Sequence, residues 1–227
     1  MPYGGPDIAI QKRGDSKGDS PLFFCKGPIY RGLFYNISGD GALFVIAGLG
    51  NPGAEYEDTR HNVGFMLVDR AALSYGIKLK RSGKALCGTG TIKGVEVALL
   101  KPLTYMNLSG EAIRGFIGAN AVSAESIIAA YDDCDLPLGR LRLRKNGGSG
   151  GHRGVESMIR SLGTRDFKRI RLGVGRREGV DTAEYVLSPF EPEEKGAVEE
   201  MLSRGLAALE DVVAVGIDSA MNRFNSV

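Results

Sequence analysis

The stretch LFVIAGLGNPGAEYEDTRHNVGFMLVD, Leu43–Asp69, reads as strand, turn and helix in succession. It opens on an apolar run of strand length, Leu43–Gly48, and passes through a Gly/Pro turn. It then enters a helical pattern from about Arg60 to Tyr75, with Val63, Phe65, Met66, Val68, Ala71 and Ala72 as its apolar positions. The turn, Gly48–Gly53, formally matches GxGxxG. A dinucleotide-binding unit would open its helix inside that turn and carry an acid on the second strand, roughly 20 residues on. Here Pro52 and the polar AEYEDT segment delay the helix to about Arg60. The residues around Asp69 belong to that helix, and the next strand pair ends in Lys101. The dinucleotide reading fails on this context.

Downstream, the chain alternates strand and helix patterns. Cys87–Ile92 and Val95–Leu100 form two strands joined through Lys93-Gly94 as a hairpin. A short helix covers about Ser109–Ile117, and Ile127–Tyr131 reads as a buried strand. RLRLR, Arg140–Arg144, alternates like a half-exposed one. The glycine-rich NGGSGG (Asn146–Gly151) precedes a helix near Gly154–Leu162, followed by a strand at Arg169–Gly175. An amphipathic helix runs from about Pro192 to Val215, with Gly196 and Gly205 as its weak points. This alternation predicts a single α/β domain: a central twisted, mostly parallel mixed sheet flanked by helices, over residues 43–227. Upstream, residues 1–42 are rich in Gly, Pro and charge and lack any motif. They are expected to be a disordered or dispensable extension.

The composition, 43% hydrophobic and 25% charged over 227 residues, is that of an ordinary globular protein. No apolar run approaches the roughly 20 residues of a membrane span. Asp7, Lys12 and Arg13 interrupt any secretory-signal core. Cys25, Cys87 and Cys134 lie far apart, which argues against a disulfide framework or structural zinc and for a reducing cytoplasm. Net charge is only +2, but it is unevenly distributed. Arg140–Arg177 holds 12 Lys or Arg against 2 acids, whereas the residues from Glu178 onward hold 3 against 11. A basic segment of this kind suits a polyphosphate partner; a solvated charged face would look the same in composition.

The segment Gly48–Asp69 resembles the signature of the bacterial peptidyl-tRNA hydrolase family. Four further blocks agree in order: KPLTYMNLSG (Lys101–Gly110), YDDCDLPLG (Tyr131–Gly139), GGSGGHRG (Gly147–Gly154) and FKRIRLGVGR (Phe167–Arg176). The resemblance runs from about Leu43 to the C-terminus. It implies a phosphorylase/hydrolase-like fold and a monomer without metal or cofactor. It also implies hydrolysis of the ester between a peptide, or N-blocked aminoacyl group, and tRNA.

The chain has two histidines, His61 and His152, and each falls in one of these blocks. Histidine suits deprotonation of water near neutral pH. The resemblance implies that His61 is the base, oriented by Asp132 at the end of a buried strand. It also implies that Asn51 and Asn107 bind the peptide–tRNA junction, where ester hydrolysis builds negative charge. Turn formation by Asn51 and helix capping by Asn107 are the plainer readings. Tyr56 and Met106 match cleft-lining positions, and either also reads as ordinary packing. His152 and its glycine loop resemble the border of a substrate channel. The family has asparagine after this histidine where this chain has Arg153, so that contact does not transfer; Arg153 suits a phosphate or solvent. Arg144 and Arg171 match a clamp for the tRNA 5′-phosphate, a task suited to the bidentate guanidinium. No GxSxG elbow is present. The competing expectation is a non-catalytic RNA-binding relative of the same fold, like a splicing factor.

Overall fold

The structure is a computed structural model that describes residues 43–226; the expected extension, residues 1–42, lies outside them. Strands are β1 (Phe44–Gly48), β2 (Lys80–Ser82), β3 (Ala85–Ile92), β4 (Val95–Pro102), β5 (Ile127–Asp133), β6 (Leu141–Arg144) and β7 (Lys168–Gly173). Helices are α1 (Val63–Ser74), α2 (Ser109–Ala119), α3 (Arg153–Leu162), α4 (Thr182–Val186), α5 (Lys195–Ala214) and α6 (Ile217–Phe224). All seven strands join one sheet in the order β2-β3-β4-β1-β5-β7-β6. The four central strands are parallel, and antiparallel pairings occur toward both edges.

Burial explains the apolar runs. β5 is buried at every residue and β1 at all but its first, as parallel strands covered on both faces must be. One face packs Ile46, Leu99, Ile128, Ala130 and Leu172 beneath residues of α1, α5 and α6. The other packs Val45, Ala47, Leu100 and Ala129 beneath α2 and α3. The β3–β4 turn has left-handed backbone at both Lys93 (φ 51°) and Gly94 (φ 82°), as a two-residue hairpin requires.

Gly48 of GLGNPG and Gly64 of RHNVG serve helix docking. A Cβ at Gly48 would lie 2.3 Å from the Gly64 carbonyl oxygen, and one at Gly64 would lie 2.3 Å from that of Ala130. The start of α1 therefore rests directly on the ends of β1 and β5. Gly205, read from sequence as a weak point of its helix, is a packing point: its missing Cβ would sit 3.1 Å from Leu67 Cδ1.

Three elements went unread in the sequence: β2, α4 and α6. Each is eight residues or fewer, so its pattern is weak and tertiary contacts decide it. The helix expected from Arg60 starts as a 3-10 turn, Arg60–Asn62, before α1, and the one expected from Pro192 likewise starts as a 3-10 turn, Pro192–Glu194. That first turn is anchored by Arg60, only 1% exposed, which bonds Glu194 at 2.7 Å and lies between the Tyr185 and Phe190 rings. Beyond α6, Asn225 binds both Leu143 N and Leu143 O, covering the edge that β6 would otherwise leave open.

Candidate functional site

The order reverses beside β1. The chain moves from β1 out to β4 on one side, then returns through α2 to β5 on the other. A crevice at the C-terminal ends of strands is expected at such a switch point. A cleft of about 1220 Å³ opens there, lined by Asn51, His61, Met106, Asn107, Asp132 and His152 among others. It continues along the glycine loop to Arg144, Arg153 and Arg171. Tyr56 is not among its lining residues; it ends the 3-10 turn Ala54–Tyr56, and its carbonyl accepts from the Thr59 hydroxyl.

Asp132 is the centre of the site. It is 3% exposed, and its Oδ1 binds His61 Nδ1 at 2.8 Å and His152 Nε2 at 2.9 Å. The two histidines come from opposite layers: His61 precedes α1 on one face of the sheet, and His152 caps α3 on the other. Burial alone would push the Asp132 carboxyl up, but the charge and hydrogen bonding of the two imidazoles outweigh it and hold the group well below the usual carboxylate range.

When the two rings are neutral, the network assigns their tautomers. His152 Nδ1 accepts from Gly154 N at 3.1 Å and Val155 N at 3.2 Å, so it carries no proton, and Nε2–H donates to Asp132. His61 Nδ1–H donates to the same oxygen, which leaves Nε2 as the free base of a ring that lines the cleft. The rings lie 5.1 Å apart and tilted by 44°. His61, Asp132 and His152 have donor atoms within 4.8 Å of one another, the spacing of a metal cluster. The bonding opposes that use: a metal on His152 Nε2 would displace its proton to Nδ1, where two backbone N–H donors already point.

Asn51, 8% exposed, is held on three sides. Its N donates to Asn62 Oδ1 at 2.7 Å, its O accepts from Asn62 Nδ2 at 3.0 Å, and its Oδ1 accepts from Met106 N at 2.8 Å. Nδ2 is thereby the part of Asn51 left to donate into the cleft. The same bonds order Met106, which is 4% exposed. Asn107 is exposed and caps no helix: α2 follows Leu108 and has no side-chain cap. Of the readings open in sequence, capping is therefore the one this geometry lacks.

The basic strip divides. Arg144 and Arg171 line the cleft, whereas Arg140 and Arg142 border a separate pocket with Leu136, Pro137, Leu141 and Asn225. Arg153, the first residue of α3, is exposed at the cleft. Three contributors went unread in sequence. Asn62 clamps Asn51, Asp133 holds Arg171 Nε, and Arg169, 2% exposed, holds the carbonyls of Gly147 and Gly148. The alternation of Arg169 with Arg171 places both on one strand face. That was the available signal for Arg169, but burial under a loop has no local mark. Cys87 and Cys134 are free thiols, and burial raises the pKa of both.

Known proteins resemble this chain in sequence and fold. A family profile, Peptidyl-tRNA hydrolase, matches residues 45–227. The peptidyl-tRNA hydrolase of Geobacillus thermodenitrificans is 51% identical over 185 residues, covering 81% of this chain and 98% of the relative. That of Bacillus subtilis is 46% identical over 186 residues, covering 81% and 99%. The crystal structure of the Acinetobacter baumannii peptidyl-tRNA hydrolase superposes with a TM-score of 0.78 at 34% identity, covering 83% of this chain and 98% of that one. With a family match over residues 45–227 and about half of the aligned residues identical to such a relative, the chain belongs to the peptidyl-tRNA hydrolase family.

Proposed function

We propose that this chain hydrolyses the ester joining a peptide to tRNA by a water molecule activated at His61. The carrying observation is the His61 ring at the cleft, whose Nδ1 meets the buried Asp132 carboxylate while its Nε2 has no hydrogen-bond partner among the described residues. His61 takes a proton from water, whose oxygen adds to the ester carbonyl. Negative charge builds on the carbonyl oxygen, and Asn51 Nδ2 is the preorganised donor for it, with Asn107 beside it on the cleft wall. Asp132 stabilises the imidazolium formed. The C–O bond then breaks, and the ribose oxygen takes that proton from His61, releasing tRNA for reuse in translation and a peptide acid that loses its own proton to solvent. His152 braces Asp132 from the opposite layer. The chain acts as a monomer in the cytoplasm, a compartment its free thiols suit.

Arg144 and Arg171 grip the 5′-phosphate. Charge-assisted bonds of this kind contribute about 1.5–3 kcal/mol each, so replacing either with Ala should raise KM for peptidyl-tRNA about ten-fold or more, with kcat little changed. Hydrolysis of a purified N-blocked aminoacyl-tRNA, with and without its 5′-phosphate, is the test. No turnover by the wild type would reject the activity in favour of a binding protein. Equal loss on both substrates would place the arginines elsewhere on the RNA.

We propose that residues 1–42 are dispensable. A chain shortened to begin at Ala42 should keep its thermal midpoint and turnover, because β1 and its neighbours already bury the sheet. Aggregation or lost turnover in that shortened chain would show that the segment packs onto the domain.

A further inference from the structure

β5 ends in two adjacent acids, and they face different tasks. Asp132 serves the histidines. Asp133, only 8% exposed, turns to the arginine side of the cleft. Its Oδ1 accepts from Asp135 N at 2.9 Å, which fixes the carboxylate to its own loop. Its Oδ2 accepts from Arg171 Nε. Arg171 rises from β7 opposite Tyr131 of β5, so the pair bridges neighbouring strands.

The choice of nitrogen matters. A guanidinium offers a phosphate two kinds of edge, one including Nε and one made of both terminal nitrogens. Asp133 occupies Nε, and among the described residues the terminal nitrogens of Arg171 have no hydrogen-bond partner. The other arginines that line the cleft are held differently. Arg169 is committed to loop carbonyls, Arg176 is paired with Asp135 at its tip, and Arg144 and Arg153 have no carboxylate partner among the described residues. Arg171 is thus the one whose stem is held by a buried acid while its fork stays open to the cleft.

We propose that Asp133 is the positioning residue of the phosphate clamp: it orients Arg171 so that the terminal fork, rather than the Nε edge, meets the tRNA 5′-phosphate. This rests on the assignment of Arg171 to that phosphate. The acid also places a negative charge near the incoming anion. The proposal therefore requires that the gain from a fixed fork exceed that repulsion, and the two effects have opposite signs in experiment.

The test compares Asp133→Asn, Arg171→Ala and the double variant on N-blocked aminoacyl-tRNA bearing or lacking the 5′-phosphate, after thermal melts confirm folding. Asp133→Asn should raise KM for the phosphorylated substrate about three- to ten-fold and leave KM for the dephosphorylated one unchanged, with kcat little altered on both. The double variant should be no worse than Arg171→Ala, because the acid acts through the arginine. A lower KM in Asp133→Asn would overturn the proposal by showing repulsion to dominate. An unchanged preference for phosphate, or equal loss on both substrates, would overturn it as well. If Asp133→Asn fails to fold, Asp133→Glu replaces it; a longer carboxylate that keeps the wild-type phosphate preference with Arg171 displaced in a crystal structure would also refute it. If Arg171→Ala itself leaves the phosphate preference intact, the clamp assignment fails, and that outcome is separate from a failure at Asp133 alone.

Discussion

Replacing His61 with Ala should lower kcat on N-blocked aminoacyl-tRNA by about 10²–10⁴-fold, the usual contribution of a positioned general base. Binding of tRNA should persist, because the arginines proposed to hold its phosphate are other residues of the cleft. Single-turnover hydrolysis with a parallel binding measurement checks both, and activity within a few-fold of wild type would remove His61 from the role of base. Asp132→Asn should cost less. It keeps an oxygen for His61 Nδ1–H but loses the charge that stabilises the imidazolium. Asp132 also ties catalysis to acid stability. Its carboxyl is depressed in the folded chain by the two histidines acting against burial. A depressed acid contributes stability above its unfolded value, about 4, and loses it as pH falls from there toward the folded value. Denaturant melts from pH 6 to pH 2 should therefore show a shallower acid-side decline in Asp132→Asn than in the wild type. An unchanged slope would mean that the histidine pairing contributes no pH-linked stability.

Gly64→Ala should damage stability and catalysis together. The new Cβ would lie 2.3 Å from Ala130 O, 2.6 Å from Leu49 O and 2.7 Å from Leu49 N. All three are backbone atoms of, or just beyond, central strands, so α1 must lift instead. Overpacking of this kind costs about 1–3 kcal/mol or more, and in a domain of this size each kcal/mol lowers the thermal midpoint by about 2–4 °C. His61 sits three residues before Gly64, and its partner Asp132 lies two beyond Ala130. Lifting α1 stretches that pair, so kcat should fall in the folded fraction as well. Gly118→Ala is the control. It lies in α2 with nothing within 4 Å of its would-be Cβ, and helix propensity predicts a gain of up to about 1 kcal/mol. Equal melts for the two variants would show that the α1–sheet contact has slack that the distances deny.

The sheet's central strands and main helices were legible because their period and length are local properties. Burial on both faces leaves a continuous apolar run at Phe44–Gly48 and Ile127–Asp133, and one-sided exposure leaves alternation at Leu141–Arg144. The family blocks likewise pointed to Asn51, Met106 and Asn107 after β1 and β4, to Asp132 of β5 and to His152 before α3, all of which line the cleft, with Tyr56 outside its lining. The elements that escaped were short, and they owe their form to distant partners: α4 supplies Tyr185 against Arg60, and α6 leads to Asn225 on the edge of β6. What the amino-acid order determined by itself was which side chains could do the chemistry. Only the tertiary structure decided that one oxygen of Asp132 serves a histidine from each layer, that Asn62 leaves Asn51 a single free donor group, and that Asp133 takes Arg171 by its stem. These contacts join residues up to 71 positions apart in the chain. Hydrogen-bond partnership across that distance is set by how helices seat on the sheet, through absent Cβ atoms at Gly48 and Gly64, and no local periodicity encodes it.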